Sequence, residues 1–293
     1  MITLTVPVPK EFSFDQALSF LKRSPRELLH QVDGGTVHKA LRVDDDVVAI
    51  AVSFEKKKVR IDVLAESLTP TQQEEVIAYV REWFDLDTDL KPFYAMAEKD
   101  KLLKDLVQQY YGYRIVGQPD LYEAVTWAML GQQINVAFAY TLKQRFVEHF
   151  GASLQMMDKK YYLFPVPEAV AVLSPDVLMP LQYSRQKAAY TITIAEAFAS
   201  GTVSKESLKG LPLQEAKERL MKIKGVGNWT ANYALMKTFR YPDAFPLEDA
   251  GLYNVVKKYK KLDRKPTPDE MKKVFKKYKG WEAYATLYLW KSL

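Results

Sequence analysis

The sequence predicts an α+β chain: a small antiparallel sheet domain with helices, followed by two mainly α-helical domains. Two patterns carry this reading. Residues 36–43, 47–54 and 58–64 are short alternating or β-branched runs, separated only by Asp44-Asp45-Asp46 and Glu55-Lys56-Lys57. Such closely spaced runs read as an antiparallel meander. From residue 98 onward apolar residues recur every three or four positions, the period of helices that bury one face.

In chain order, Ile2-Thr-Leu-Thr-Val alternates and is expected as an edge strand, and Phe14 to Leu21 as a short helix. Thr69 can cap a longer helix, with Pro70 at its first position and Gln72 completing a capping box. That helix runs on through Val76, Val80 and Trp83 at helical spacing. The later helical windows are 99–112, 120–131, 135–149, 166–173, 184–199, 212–223, 228–239, 248–260, 267–278 and 280–291, joined by short links with Gly, Pro, Ser or Asp. No low-complexity linker interrupts them, so the domains are expected to pack against one another.

Composition narrows the function classes. Hydrophobic residues at 48% and charged residues at 27% fit a soluble globular protein. No apolar run is long enough to span a membrane, and residues 1–20 lack a secretory pattern, so a cytoplasmic address is expected. The chain has no cysteine, which excludes disulfides, thiolate-held zinc and a cysteine-held iron–sulfur cluster. His30, His38 and His149 show no metal-ligand spacing and are expected to be surface or packing residues. The net charge of +6 points to a polyanionic partner. It is concentrated between Lys257 and Lys279, where eleven basic side chains face Asp263, Asp269 and Glu270. A lysine run is often only a solvated helix face, but this one lies just beyond Asp249 and is expected to support a phosphate backbone.

Residues 220–236 are the most informative stretch. A helix is expected to end at Ile223 and Lys224. Gly225 and Gly227 permit a hairpin, Val226 tucks back between the two helices, and Asn228 caps a second helix starting near Trp229. Backbone N–H groups at such a hairpin seat a phosphate. Asp249 follows about twenty residues on, in Phe-Pro-Leu-Glu-Asp.

This arrangement resembles the helix-hairpin-helix DNA glycosylases, and within them the DNA-3-methyladenine glycosylase II family. Further support comes from Phe12-Ser-Phe14…Phe20, from Met-Leu-Gly-Gln-Gln-Ile-Asn-Val at 129–136, and from the closing Trp281-Glu-Ala-Tyr-Ala-Thr-Leu-Tyr-Leu-Trp290. The resemblance implies a sheet domain over 1–97 and a helical domain over 120–241 that contains the hairpin. A discontinuous second helical domain, 98–119 plus 242–293, would carry the catalytic aspartate. It implies a monofunctional glycosylase acting on alkylated purines in double-stranded DNA, as a monomer, with no organic cofactor and no membrane partner. Asp249 would be the catalytic carboxylate, with Glu248 its rival. Trp229, Tyr233, Trp290 and Phe20 would surround the flipped base, and Gln133 would fill the gap it leaves. Lys224, Gly225, Val226, Gly227 and Asn228 would hold the DNA backbone. The carbonyls of Met221, Ile223 and Val226 would offer a seat for a monovalent cation. Trp229 stands where bifunctional relatives carry a Schiff-base lysine, which implies hydrolysis without lyase chemistry. Ala250-Gly251 departs from relatives with an aromatic residue there and implies a more open pocket floor. The alternatives are a glycosylase for oxidised or deaminated purines, and a damage sensor that flips a base without excising it.

Overall fold

A computed structural model describes every residue except Asp45 and Met157. Five strands form an antiparallel sheet in the order β1-β5-β4-β3-β2. They are β1 (Ile2–Pro7), β2 (Gln31–Asp33), β3 (Thr36–Val43), β4 (Asp46–Glu55) and β5 (Lys58–Val63). The expected meander is β3-β4-β5, and Ile2–Pro7 is the edge strand, pairing with β5. The acidic turn lies where it was expected, with Asp45 outside the described residues. β2 was not anticipated, because three residues are too few to show alternation.

The inner face of the sheet packs on α1 (Phe14–Leu21) and α2 (Pro70–Trp83) around Val37, Ile50, Ile61, Val76 and Val80. Thr69 and Gln72 form the capping box that starts α2. The outer face carries Ala40 and Ala49, whose small side chains let Tyr161 and Leu163 approach. Tyr161 belongs to a hairpin, β6 (Ser153–Met156) and β7 (Lys159–Tyr162). This hairpin falls in the gap between the helical windows 135–149 and 166–173 and is the exception to the mainly helical pattern after residue 98. Four-residue strands leave little period to read, and it is the neighbouring sheet that supplies their apolar contact.

The helices are α3 (Lys91–Ala97), α4 (Lys104–Gln109), α5 (Leu121–Leu130), α6 (Val136–Phe150), α7 (Pro167–Ala171), α8 (Pro175–Leu178) and α9 (Arg185–Ala199). There follow α10 (Lys205–Leu208), α11 (Leu213–Met221), α12 (Asn228–Phe239), α13 (Ala250–Tyr259), α14 (Pro268–Phe275) and α15 (Glu282–Lys291). They build two cores. Leu130, Leu142, Phe146, Ile194, Leu220 and Leu235 join α5, α6, α9, α11 and α12. Phe93, Leu106, Leu252, Phe275, Tyr284 and Tyr288 join α3, α4, α13, α14 and α15. α3, which precedes residue 98, therefore packs with the second helical core. Helix α4 is shorter than the 99–112 window, because residues 101–103 form a turn whose N–H groups at Leu102 and Leu103 bond to the Asp100 carboxylate.

Candidate active site

The hairpin comes first in the chain. α11 ends at Met221 with Lys222 as its C-cap, two residues earlier than the sequence suggested. Gly225 has φ +97°, and a Cβ there would stand 2.5 Å from Cγ of Tyr190. Only glycine fits that position. Gly227 differs: its φ of −89° and ψ of 178° suit any residue, and a Cβ there would meet open space. Its glycine answers to nothing inside the fold. Val226 is buried in the helical core, as expected. Gly227, not Asn228, is the N-cap of α12. Asn228 falls one position into the helix, and its amide donates to Glu248 at 2.9 and 3.0 Å. Lys224 is exposed beside the turn.

One turn along α12, Asn232 is buried, and the sequence reading did not single it out. Its amide nitrogen donates to the Asn228 carbonyl at 2.9 Å, and its oxygen accepts from the Phe245 N–H at 3.0 Å. It ties α12 to the segment that delivers Asp249. A second asparagine four positions after Asn228, inside an otherwise apolar run, was the available signal.

Asp249 is the N-cap of α13, and its Oδ1 accepts from the Leu252 N–H at 2.8 Å. The same oxygen accepts from the Trp290 indole at 2.8 Å, while Oδ2 accepts from the Trp229 indole at 3.3 Å. The carboxylate is thus fixed at both oxygens by donors from α12, α13 and α15. Glu248 is exposed and turned to Asn228, away from this junction.

Trp229 and Tyr233 stack with centroids 5.2 Å apart, and Tyr233 lies 6.2 Å from Trp290. Trp127 donates its indole N–H to the Tyr233 hydroxyl at 3.2 Å. Trp127 and Tyr140 complete the cluster, and neither was anticipated, since each sits on a helix that reads as ordinary core. Phe20 borders the cluster on the Trp127 and Tyr140 side, with the Arg23 guanidinium 3.9 Å and the Lys237 ammonium 4.5 Å from its ring centre. At Gly251, where a more open pocket floor was expected, the space next to the Cα itself is narrow. A Cβ there would stand 2.9 Å from Leu293 and 3.2 Å from Asp249 Oδ1.

Gln133 stands exposed at the tip of the loop after α5 with φ +60°, a strained value for a residue with a side chain. Its neighbours hold it there. Gln132 donates to the Gly225 carbonyl at 3.0 Å and to Thr230 Oγ1 at 2.7 Å, joining this loop to the hairpin. The Lys187 ammonium donates to the carbonyls of Met129, Leu130 and Gln132 at 3.2, 2.9 and 2.8 Å. Burial pushes Lys187 below the ordinary lysine range. Lys257, Lys258, Lys260 and Lys261 lie at the C-terminal end of α13, the opposite end from Asp249, where they also complement the helix dipole. Among the described residues the carbonyls of Met221 and Val226 accept no hydrogen bond, and that of Ile223 accepts the Val226 N–H at 3.0 Å.

No helix among the described residues is long and apolar enough to cross a membrane. Residues 3–120 match the AlkA N-terminal domain, and residues 126–280 match the family described as HhH-GPD superfamily base excision DNA repair protein. The chain is 41% identical over 293 residues to a Bacillus subtilis protein named DNA-3-methyladenine glycosylase, covering 99% of this chain and 97% of that one. It is 29% identical over 179 residues to the Escherichia coli DNA-3-methyladenine glycosylase 2, covering 61% of this chain and 60% of that one. Its fold matches the Archaeoglobus fulgidus 3-methyladenine DNA glycosylase with a TM-score of 0.84 at 22% identity, over 98% and 97% of the two chains. On its motif, its two matched domains and its fold, this chain belongs to the HhH-GPD superfamily of base excision DNA repair proteins.

Proposed function

We propose that the protein is a monofunctional DNA glycosylase that hydrolyses the N-glycosidic bond of alkylated purines, 3-methyladenine and 7-methylguanine, after flipping them from duplex DNA. One observation carries the reading: Asp249 is fixed at both oxygens by the indoles of Trp229 and Trp290, which with Tyr233 also form the aromatic cluster. The names of the Bacillus and Escherichia relatives support it.

Breaking the bond builds positive charge at C1′ and the ring oxygen of the sugar. A fixed carboxylate there stabilises that charge more in the transition state than in the ground state. The electron pair of the C1′–N bond leaves with the base, and water adds at C1′. A cationic alkylated purine departs neutral, so no acid is required. Its delocalised charge also suits the faces of Trp229, Tyr233 and Trp290. In this reading Gly225–Asn228 and Lys224 hold the DNA backbone at the start of α12, and Gln133 fills the gap left by the flipped base. The free carbonyls of Met221 and Val226, with Ile223, suit a monovalent cation that would brace the hairpin. The protein acts as a monomer on double-stranded DNA.

Chromatography of bases released from methylated duplex DNA tests this. Release of 3-methyladenine and 7-methylguanine is expected. Release of neither base, with tight binding to the damaged duplex, would favour the sensor instead. Borohydride is expected to trap no covalent adduct, because Trp229 offers no amine. A trapped band mapped to the active site would overturn the monofunctional reading.

A further inference from the structure

We propose that Arg23 is a specificity-determining residue, a hydrogen-bond donor to the departing base that lets the pocket excise neutral purines. The proposal rests on the glycosylase reading above.

Arg23 follows α1, beyond its cap at Lys22. Its Nε donates to the Tyr140 hydroxyl. Its guanidinium carbon lies 3.9 Å from the Phe20 ring centre, 5.3 Å from Tyr140 and 6.0 Å from Trp127. Trp127 in turn bonds to Tyr233, which stacks on Trp229. Arg23 therefore stands at one end of the ring cluster, and Asp249 at the other.

Two further features set it apart. Arg23 as a whole residue keeps solvent exposure, although rings surround its guanidinium. Among the described residues its two terminal amino groups have no hydrogen-bond partner, and no carboxylate pairs with it. The neighbouring acid, Glu27, is taken by Lys143 at 3.0 Å. An arginine fixed only through Nε and its flat faces keeps the fork of its guanidinium for something else.

The chemistry of the leaving base says what that is. When a neutral purine leaves, the electron pair of the C1′–N9 bond stays on the base. The charge spreads toward N3, N7 and O6 until the base takes a proton from water. A guanidinium fork matches the O6 and N7 acceptors, and its hydrogen bonds strengthen as that charge builds. A cationic base leaves neutral and gains nothing from such a donor. Arg23 thus supplies what the aromatic rings lack, and it would widen the substrate range to bases such as hypoxanthine.

The test is single-turnover excision of hypoxanthine and of 7-methylguanine from duplex DNA by the wild type, Arg23→Met and Arg23→Lys. Arg23→Met is expected to slow hypoxanthine release about 10- to 100-fold, in keeping with a lost electrostatic donor. Release of 7-methylguanine should change by less than about threefold, because no charge builds on that base. Arg23→Lys keeps the charge without the fork and should also lose hypoxanthine selectively, which carries the test if Arg23→Met does not fold. Equal losses on both bases would make Arg23 a packing residue and overturn the proposal. So would a wild type that excises 7-methylguanine but not hypoxanthine. A salt slope for undamaged DNA reduced by about one in Arg23→Met would mark a phosphate contact and also overturn it. A wild type that releases neither base would instead refute the glycosylase reading.

Discussion

The Trp290 indole N–H meets Oδ1 of Asp249 at 2.8 Å, and this bond joins α15 to the start of α13. In the proposed function it gives Trp290 two duties, a face for the base and an anchor for the carboxylate. Asp249 likewise caps a helix, in addition to the catalytic role proposed for it.

The cap makes a clean test of charge. Asp249→Asn keeps an N-cap side chain but loses the acceptor for one indole N–H, so stability should fall by about 1–3 kcal/mol. Excision should fall by at least about 100-fold, while binding to damaged duplex is retained. A folded Asp249→Asn protein within about tenfold of the wild-type rate would show that Asp249 is not the catalytic anion.

Trp290→Ala should slow excision of cationic and neutral bases alike, by about tenfold or more, because it unpins Asp249 as well as removing a ring. Single-turnover rates on 7-methylguanine and hypoxanthine check this. A loss confined to 7-methylguanine would mean that the ring matters and the hydrogen bond does not.

The two hairpin glycines should behave differently. Gly225→Ala places a Cβ against Tyr190 at a left-handed backbone position, so stability should fall by about 1–3 kcal/mol. Gly227→Ala has a permitted backbone and open space, and its unfolding midpoint should hold. Its affinity for duplex DNA should fall, because the Cβ stands where a phosphate would approach the start of α12. Thermal unfolding and a binding titration separate the two. Full affinity in Gly227→Ala would move the phosphate seat elsewhere.

Acid should weaken the join between the sheet unit and the helices. Burial pushes the Glu27 carboxyl up, but Lys143, His30 and the Leu29 N–H overcome it and bring its pKa from 4.5 to about 2. The folded value lies below the unfolded one. The stabilisation is therefore complete above pH 4.5 and is lost as pH falls toward 2. At 1.36 kcal/mol per unit, the loss is ~3 kcal/mol. Urea unfolding across that range should show it, and Glu27→Gln should flatten the dependence. An unchanged acid slope in Glu27→Gln would assign the loss to other carboxylates.

Local patterns were enough for much of this molecule. The meander shows in its β-branched runs, the start of α2 in Thr69, Pro70 and Gln72, and the hairpin in Gly225 and Val226, because turns, caps and periodic faces are written within a few neighbouring residues. Asp249 and the three aromatic residues could be named through resemblance. What the tertiary structure alone decided depends on residues far apart in the chain. The bonds from Trp229 and Trp290 to Asp249, the tie from Asn232 to Phe245, the bridge from Gln132 to Gly225, and the place of Arg23 beside Tyr140 have no local signature. Each depends on how separate helices dock, and docking is set by side-chain packing between cores, which no short window of sequence contains.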